Sequence, residues 1–318
     1  MKILFIQRPD VLMTQRAFVE AELAQLDDAH IQFASSPEEA LQHRDTEVLV
    51  CPTLPWISDV VQGLPLLQWI HFLSAGVDKI WDMPFDKTQY HMSKSIGVHA
   101  STITEYVLGA ILYILKGFGT FQQQQQRREW RRFQLDECYD KTLAIIGVGS
   151  IGVKLAELAK LMGMRVIGTV VTQRSIPGVD KVYSSNELDT VIAQADFVVL
   201  LAPLTAATQN LIDTKAFEAM KGSAWLINVA RGELVDQSAL INALLSKQIA
   251  GAVLDVFDEE PLVSTSKLWG MDNVLITPHV AGTTQHYMFR ALEIFKDNYR
   301  SFRCSGKLTT PISIENGY

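Results

Sequence analysis

The sequence predicts an α/β protein built from two doubly wound parallel-sheet domains. Three observations predict it. Short apolar runs alternate with polar, helix-like stretches over the first hundred residues. A long helical segment from Thr102 interrupts that alternation. A second alternating series then starts at Leu143, and its first strand runs directly into Gly147-Val148-Gly149-Ser150-Ile151-Gly152. Alternating strand and helix implies parallel sheets with helices on their faces. A length of 318 residues favours two cores, because a single core stops growing at about 250–300 residues.

Taken in order, Ile3–Ile6, His30–Ala34, Glu47–Cys51 and Leu67–Phe72 read as strands, and Phe18, Ala21, Leu23 and Leu26 mark an intervening amphipathic helix. Thr102 and Glu105 have the spacing of a capping box. Val107, Leu108, Ile111, Leu112 and Leu115 follow at helical intervals. This helix is expected to run on toward the glutamine tract Gln122–Gln126 and the basic stretch from Arg127 to Arg132. In an acidic chain that stretch reads as a solvated or subunit-facing helix surface, not a nucleic-acid contact.

In the second series the strands are Leu143–Ile146, Arg165–Thr169, Phe197–Leu201, Trp225–Val229, Gly251–Val256 and Val274–Thr277. The helices between them are Ile151–Met162, Glu187–Ala193, Lys215–Met220 and Ser238–Ser246. A last amphipathic helix, about Gln285 to Phe302, precedes an extended tail expected to return to the first domain. The predicted boundaries are therefore 1–100 with 285–318 for a discontinuous first domain, and 101–284 for the second.

Composition narrows the function classes. With 48% hydrophobic and 20% charged residues the chain is of ordinary globular type. A net charge of -7 argues against a general nucleic-acid binder, which needs clustered excess Lys and Arg. Cys51, Cys138 and Cys304 lack metal-ligand spacing and read as reduced thiols of a cytoplasmic protein. His71, His91 and His99 likewise form no metal-like cluster and read as structural, so no metal is expected. The apolar run Val107–Leu115 falls well short of the roughly 18–20 residues of a membrane span, and no membrane association is expected.

The glycine run follows a strand and opens a helix, the context of a Rossmann dinucleotide site. Gly147 suits the tight turn, Gly149 the close approach to a pyrophosphate, and Gly152 the packing of helix on strand. Ser150 and Ile151 begin the helix, whose free N–H groups and partial positive charge favour phosphate. An NAD site usually carries an acid about 20 residues on, for the ribose hydroxyls. Here Gly168-Thr169-Val170-Val171-Thr172-Gln173-Arg174-Ser175 has none. Thr172 and Arg174 are candidates for holding a 2′-phosphate, which favours NADP and leaves NAD open.

Ligands of such sheets bind beyond the carboxyl ends of the strands. Arg231, Asp255, Glu260 and His279 all follow predicted strands there. Ser74–Asp78, Ala202–Thr205, Met220–Asp236, Leu254–Leu262 and Thr277–Gly282, in this order over nearly the whole chain, resemble the motifs of the D-2-hydroxyacid dehydrogenase family. The resemblance implies a flavodoxin-like substrate domain beside the Rossmann domain. It also implies hydride transfer between NAD(P)H and a small 2-oxo acid.

By the same resemblance Arg231 binds the substrate carboxylate and polarises the 2-oxo group. His279 is the acid in reduction and the base in oxidation, and Glu260 holds its imidazole. The Ala75-Gly76-Val77 turn offers backbone N–H groups to the carboxylate. Asp255 is implied to accept from the nicotinamide carboxamide, and Pro203, Thr208, Val229 and Ala230 to line the cofactor. The missing acid after Arg165–Thr169 is similar to the glyoxylate and hydroxypyruvate reductase branch, and a homodimer using the helix from about Ile103 is implied. An NAD(P)-sensing, corepressor-like binding protein of the same fold is the rival reading.

Overall fold

Strands that are apolar at consecutive positions bury both faces, and the inner strands of both sheets are built this way. The computed structural model describes residues 1–314 and divides into two units, Met1–Val98 with the chain from Thr284, and His99–Thr283. In the first unit β1 (Lys2–Ile6), α1 (Pro9–Leu23), β2 (His30–Ala34), α2 (Pro37–Ala40), β3 (Val48–Cys51), α3 (Ile57–Gly63), β4 (Trp69–Phe72) and β5 (His91–Lys94) follow in turn. The strands are parallel in the order β2-β1-β3-β4-β5, the flavodoxin-like arrangement. Ile3, Phe5, Val50 and Trp69 feed the core on one face, and Leu4, Ile6, Leu49 and Ile70 the core on the other.

Strand β5 was not among the expected strands, because His91-Met92-Ser93-Lys94 offers one apolar residue in four. Its buried polar groups are matched instead by partners. Trp69 Nε1 donates to Ser93 Oγ at 2.8 Å, and the same hydroxyl lies 2.7 Å from His71 Nδ1. His71 Nε2 reaches Ser95 Oγ at 3.3 Å. Burial pushes the His71 pKa down to about 3, so this imidazole is a neutral packing element.

The second unit holds α4 (Ala100–Leu115), α5 (Phe118–Arg127), β6 (Thr142–Ile146), α6 (Ser150–Leu161), β7 (Arg165–Val170), β8 (Lys181–Ser184), α7 (Leu188–Ile192), β9 (Phe197–Leu200), α8 (Thr214–Ala219), β10 (Trp225–Asn228), α9 (Gln237–Leu245), β11 (Gly251–Leu254) and β12 (Val274–Ile276). Seven parallel strands run β12-β11-β10-β9-β6-β7-β8. The winding reverses between β6 and β9, which is the switch point where ligands of such sheets bind. Leu143, Ile145 and Val199 face one core, and Ala144, Ile146 and Val198 the other. The seventh strand, β8, is a half-buried edge strand beginning with an exposed lysine, too polar to stand out as an apolar run.

Two helix expectations are corrected. Helix α4 starts at Ala100 with no side-chain cap, and Thr102 Oγ1 donates back to the His99 carbonyl at 3.2 Å, so Thr102 and Glu105 form no capping box. Thr102 lies inside the first turn, where a hydroxyl bonds a carbonyl one turn back. Nor does α4 continue through the glutamine tract. Gly117 turns the chain at φ +61°, and a Cβ there would lie 2.7 Å from the Phe133 ring, so α5 is a separate helix. Arg128 leaves it at φ +56°, and Arg131 and Arg132 lie beyond it in an exposed, non-helical segment.

The chain re-enters the first unit with α10 (Tyr287–Ser305), whose Ala291, Leu292 and Phe295 bury against Trp69 and Leu73. The tail then pairs antiparallel with β5 through Ser93 and Pro311, and Ile312 N donates to the Met92 carbonyl at 2.9 Å. No helix among the described residues is long and apolar enough to cross a membrane.

Candidate active site

Because all seven strands of the second sheet are parallel, their carboxyl ends share one edge. The loops after β6, β7, β9, β10, β11 and β12 therefore emerge together, carrying the glycine run, Thr172 with Arg174, Pro203 with Thr208, Arg231, Glu260 and His279 respectively.

The three glycines have different physical reasons. Gly147 sits at φ +92°, and a Cβ on it would lie 2.6 Å from Ala202 Cα, so turn and packing both demand glycine. At Gly152 a Cβ would press on Ile145 Cγ2 at 3.2 Å. A Cβ at Gly149 would meet nothing within 4 Å, so the protein itself places no steric demand there. Gly149 is the N-cap of α6, and no side chain caps that helix, which leaves its first N–H groups at Ser150 and Ile151 to a ligand. This open, uncapped helix start fits the pyrophosphate of a dinucleotide.

Thr172 and Arg174 are exposed after β7, and Arg174 Nη2 donates to the Val148 carbonyl at 3.4 Å. That contact brings the guanidinium to the glycine turn. After β9, Thr208 Oγ1 donates to the Pro203 carbonyl at 2.7 Å and accepts from Thr205 N at 2.8 Å. Thr208 thus shapes the loop it belongs to.

At the end of β10, Asn228 is buried and turns both ends of its amide to the next turn. Its Nδ2 donates to the Arg231 carbonyl at 2.8 Å, and its Oδ1 accepts from Ala230 N at 3.1 Å. Val229 is buried and Ala230 partly so. Arg231 Nη1 donates to the Ala230 carbonyl at 2.7 Å, which folds the guanidinium over its own turn. Gly232 comes next, and a Cβ there would lie 2.0 Å from the Phe257 carbonyl carbon. The missing side chain lets the Arg231 turn abut the segment that leads to Glu260.

Glu260 and His279 meet directly, with His279 Nδ1 2.7 Å from Glu260 Oε2. The other oxygen, Oε1, accepts from Phe257 N at 3.1 Å, so the carboxylate is itself oriented. His279 adopts φ +53°, a left-handed conformation that costs a non-glycine residue on the order of 1 kcal/mol. Its own N–H donates to the Asp255 carbonyl at 2.8 Å. The Asp255 carboxylate is buried and holds the same loop. Oδ1 accepts from Val280 N at 2.9 Å and from Thr277 Oγ1 at 2.5 Å, and Oδ2 from Ala281 N at 2.9 Å. A carboxylate has about four acceptor positions, so one, on Oδ2, is left over.

Residues 108–281 match the family described as D-isomer specific 2-hydroxyacid dehydrogenase, NAD binding domain. A glyoxylate reductase of Thermococcus onnurineus is 38% identical over 272 residues, covering 82% of this chain and 80% of the relative. The chain belongs to the D-isomer specific 2-hydroxyacid dehydrogenase family. A solved family protein of Aeromonas salmonicida superposes with TM-score 0.86 at 30% identity, covering 98% of this dehydrogenase and 99% of that chain. An NADPH-dependent glyoxylate/hydroxypyruvate reductase of Sinorhizobium meliloti, in complex with NADP and sulfate, gives TM-score 0.84 at 26% identity, covering 100% and 99%. The dehydrogenase is an NAD(P)-dependent oxidoreductase.

Three hydrogen-bonding residues of its second unit have no counterpart among the expected site residues. Asn228, Thr277 and Tyr106 each hydrogen-bond within or onto a loop that carries an expected site residue. An asparagine ending an apolar strand was a usable signal for Asn228, since its side chain favours local backbone bonds. The Ala75-Gly76-Val77 turn belongs to the first unit, where it follows β4 with Gly76 exposed and Val77 buried. Among the described residues no group of three or more His, Cys, Asp or Glu has a metal-holding arrangement.

Proposed function

We propose that this enzyme reduces a small 2-oxo acid of the glyoxylate or hydroxypyruvate type, with NADPH preferred to NADH. The product is the 2-hydroxy acid, of D configuration where carbon 2 is chiral. The observation that carries the reading is the 2.7 Å pair of His279 Nδ1 and Glu260 Oε2, on the sheet edge that also bears the glycine turn. A carboxylate only accepts, so Nδ1 carries the hydrogen and Nε2 is left to exchange a proton with substrate.

When bound, the reduced nicotinamide supplies the hydride. His279 delivers the proton from Nε2 to the carbonyl oxygen, and Glu260 holds the imidazolium in place. Arg231 takes the substrate carboxylate in its planar fork. The Ala75-Gly76-Val77 turn is proposed to add backbone N–H groups for the carboxylate. For the cofactor, Gly147, Gly149, Ser150, Ile151 and Gly152 would hold the pyrophosphate, and Pro203, Thr208, Val229 and Ala230 would line its length. Asp255 would offer its remaining acceptor position to the carboxamide.

The NADP preference rests on Thr172 and Arg174 standing where no acid does, with Arg174 bonded to the glycine turn. The chain is further proposed to act as a cytoplasmic homodimer. The free thiols and the exposed Phe118, Trp130, Phe133 and Leu135 around α5 support this.

The test is a panel of 2-oxo acids against NADPH and NADH, read as loss of absorbance. Steady turnover of glyoxylate or hydroxypyruvate with NADPH is expected. Tight cofactor binding with no turnover of any 2-oxo acid would overturn the reading and point to a cofactor sensor.

A further inference from the structure

The loop bearing His279 has an unusual mechanical position. It follows β12, a strand of three residues at the edge of the sheet, so it has a strand neighbour on the β11 side only. Its imidazole sits on a left-handed residue that needs restraint from outside. Asp255, the residue after β11, supplies restraint through Val280 N and Ala281 N. A second tie reaches the loop from helix α4. Tyr106 Oη lies 2.6 Å from Thr277 Oγ1, and Thr277 Oγ1 donates to Asp255 Oδ1 at 2.5 Å.

The direction of this chain follows from hydrogen counting. A hydroxyl has one hydrogen, and Thr277 spends it on the carboxylate. Its bond to Tyr106 is therefore one in which the phenol donates. Burial raises the Tyr106 pKa, which keeps the phenol protonated and able to do so.

We propose that Tyr106 is a positioning residue for His279, acting through the Thr277 hydroxyl and the Asp255 carboxylate on the loop that carries the imidazole. The role rests on the proposed acid–base role of His279. Tyr106 touches neither substrate nor cofactor in this account. It tightens the carboxylate's hold on the two amides that follow His279, and so fixes where Nε2 points.

The test is Tyr106→Phe, which keeps the ring and removes only the hydroxyl. It should lower kcat about 3- to 10-fold, the worth of one hydrogen bond, with a smaller change in the Kd for NADPH, which Asp255 also contacts in the proposed site. In the His279→Gln background the same substitution should have no further effect on kcat. Thr277→Val should reproduce the loss and Thr277→Ser should restore it. Amide hydrogen exchange at Val280 and Ala281 should quicken by a similar factor in Tyr106→Phe.

An equal fold-loss in both His279 backgrounds would mean a general structural effect and would overturn the proposal, as would wild-type kcat with wild-type exchange. If the native enzyme binds NADPH but turns over no 2-oxo acid, the proposed function fails. The exchange comparison then decides the Tyr106 link by itself: unchanged rates at Val280 and Ala281 overturn it.

Discussion

Gly147 and Gly149 stand two residues apart in one turn, and the structure assigns them opposite reasons for being glycine. At Gly149 the backbone has φ -96° and ψ -157°, an extended conformation open to alanine, and a Cβ would meet no protein atom within 4 Å. Gly149→Ala should therefore fold. Its cost is the weaker N-cap preference of alanine, about 1 kcal/mol or less. That lowers Tm by roughly 2–4 °C at most for a domain of this size.

The new methyl group instead enters the space in front of the α6 N–H groups. If the pyrophosphate sits there, displacing it should cost about 1–3 kcal/mol, the usual range for an inserted methyl against a fitted surface. That is roughly 5- to 160-fold in Kd. Gly147→Ala is the contrast. Its Cβ would lie 2.6 and 2.7 Å from backbone atoms of Ala202 at φ +92°, so it should lose stability and cofactor binding together. Thermal melts and fluorescence titrations with NADPH separate the two outcomes. A Gly149→Ala protein with wild-type Kd would refute the placement of the phosphates at α6.

Other consequences are open to measurement. Arg174→Ala should weaken NADPH about 5- to 50-fold, the worth of a charge-assisted bond discounted for exposure, with NADH nearly unaffected. Equal changes for both cofactors would remove Arg174 from the 2′-phosphate. His279→Gln should cut kcat by roughly 10²–10⁴ without weakening NADPH, and undiminished turnover would falsify its assignment as the acid. His71 has a folded pKa of about 3 against an ordinary 6.5, so its native form binds fewer protons between those values. Its stabilisation is present above about pH 6.5 and is lost as pH falls toward 3, roughly tenfold in the unfolding constant per pH unit. His71→Asn should show a smaller drop in urea midpoint between pH 7 and pH 5 than the native chain, and an equal drop would show that other groups carry the acid sensitivity.

Much of the architecture was legible because its signals are local. Val48–Cys51 and Phe197–Leu200 are unbroken apolar runs, and such runs mark strands buried on both faces. The glycine run between a strand and a helix is likewise a statement about neighbouring residues. Strands β5 and β8 were not legible, because their burial is settled by partners elsewhere: Ser93 by Trp69 and His71, and β8 by the parallel edge that β7 offers it. The break after α4 was hidden for a similar reason, since Gly117 is required by the close approach of Phe133, sixteen residues on.

By itself, then, the sequence determined the alternating α/β plan and the glycine turn, and it offered Arg231, Glu260 and His279 as candidates. The plan and the turn are encoded by spacing and turn chemistry over a few adjacent positions, and the candidates by strand-end position and family resemblance. Only the tertiary structure decided how those residues are held. Glu260 meets His279 across 19 positions, and Tyr106 meets Thr277 across 171. Hydrogen bonds between such distant residues depend on which strand ends and helix faces the fold brings together, and no local pattern records that.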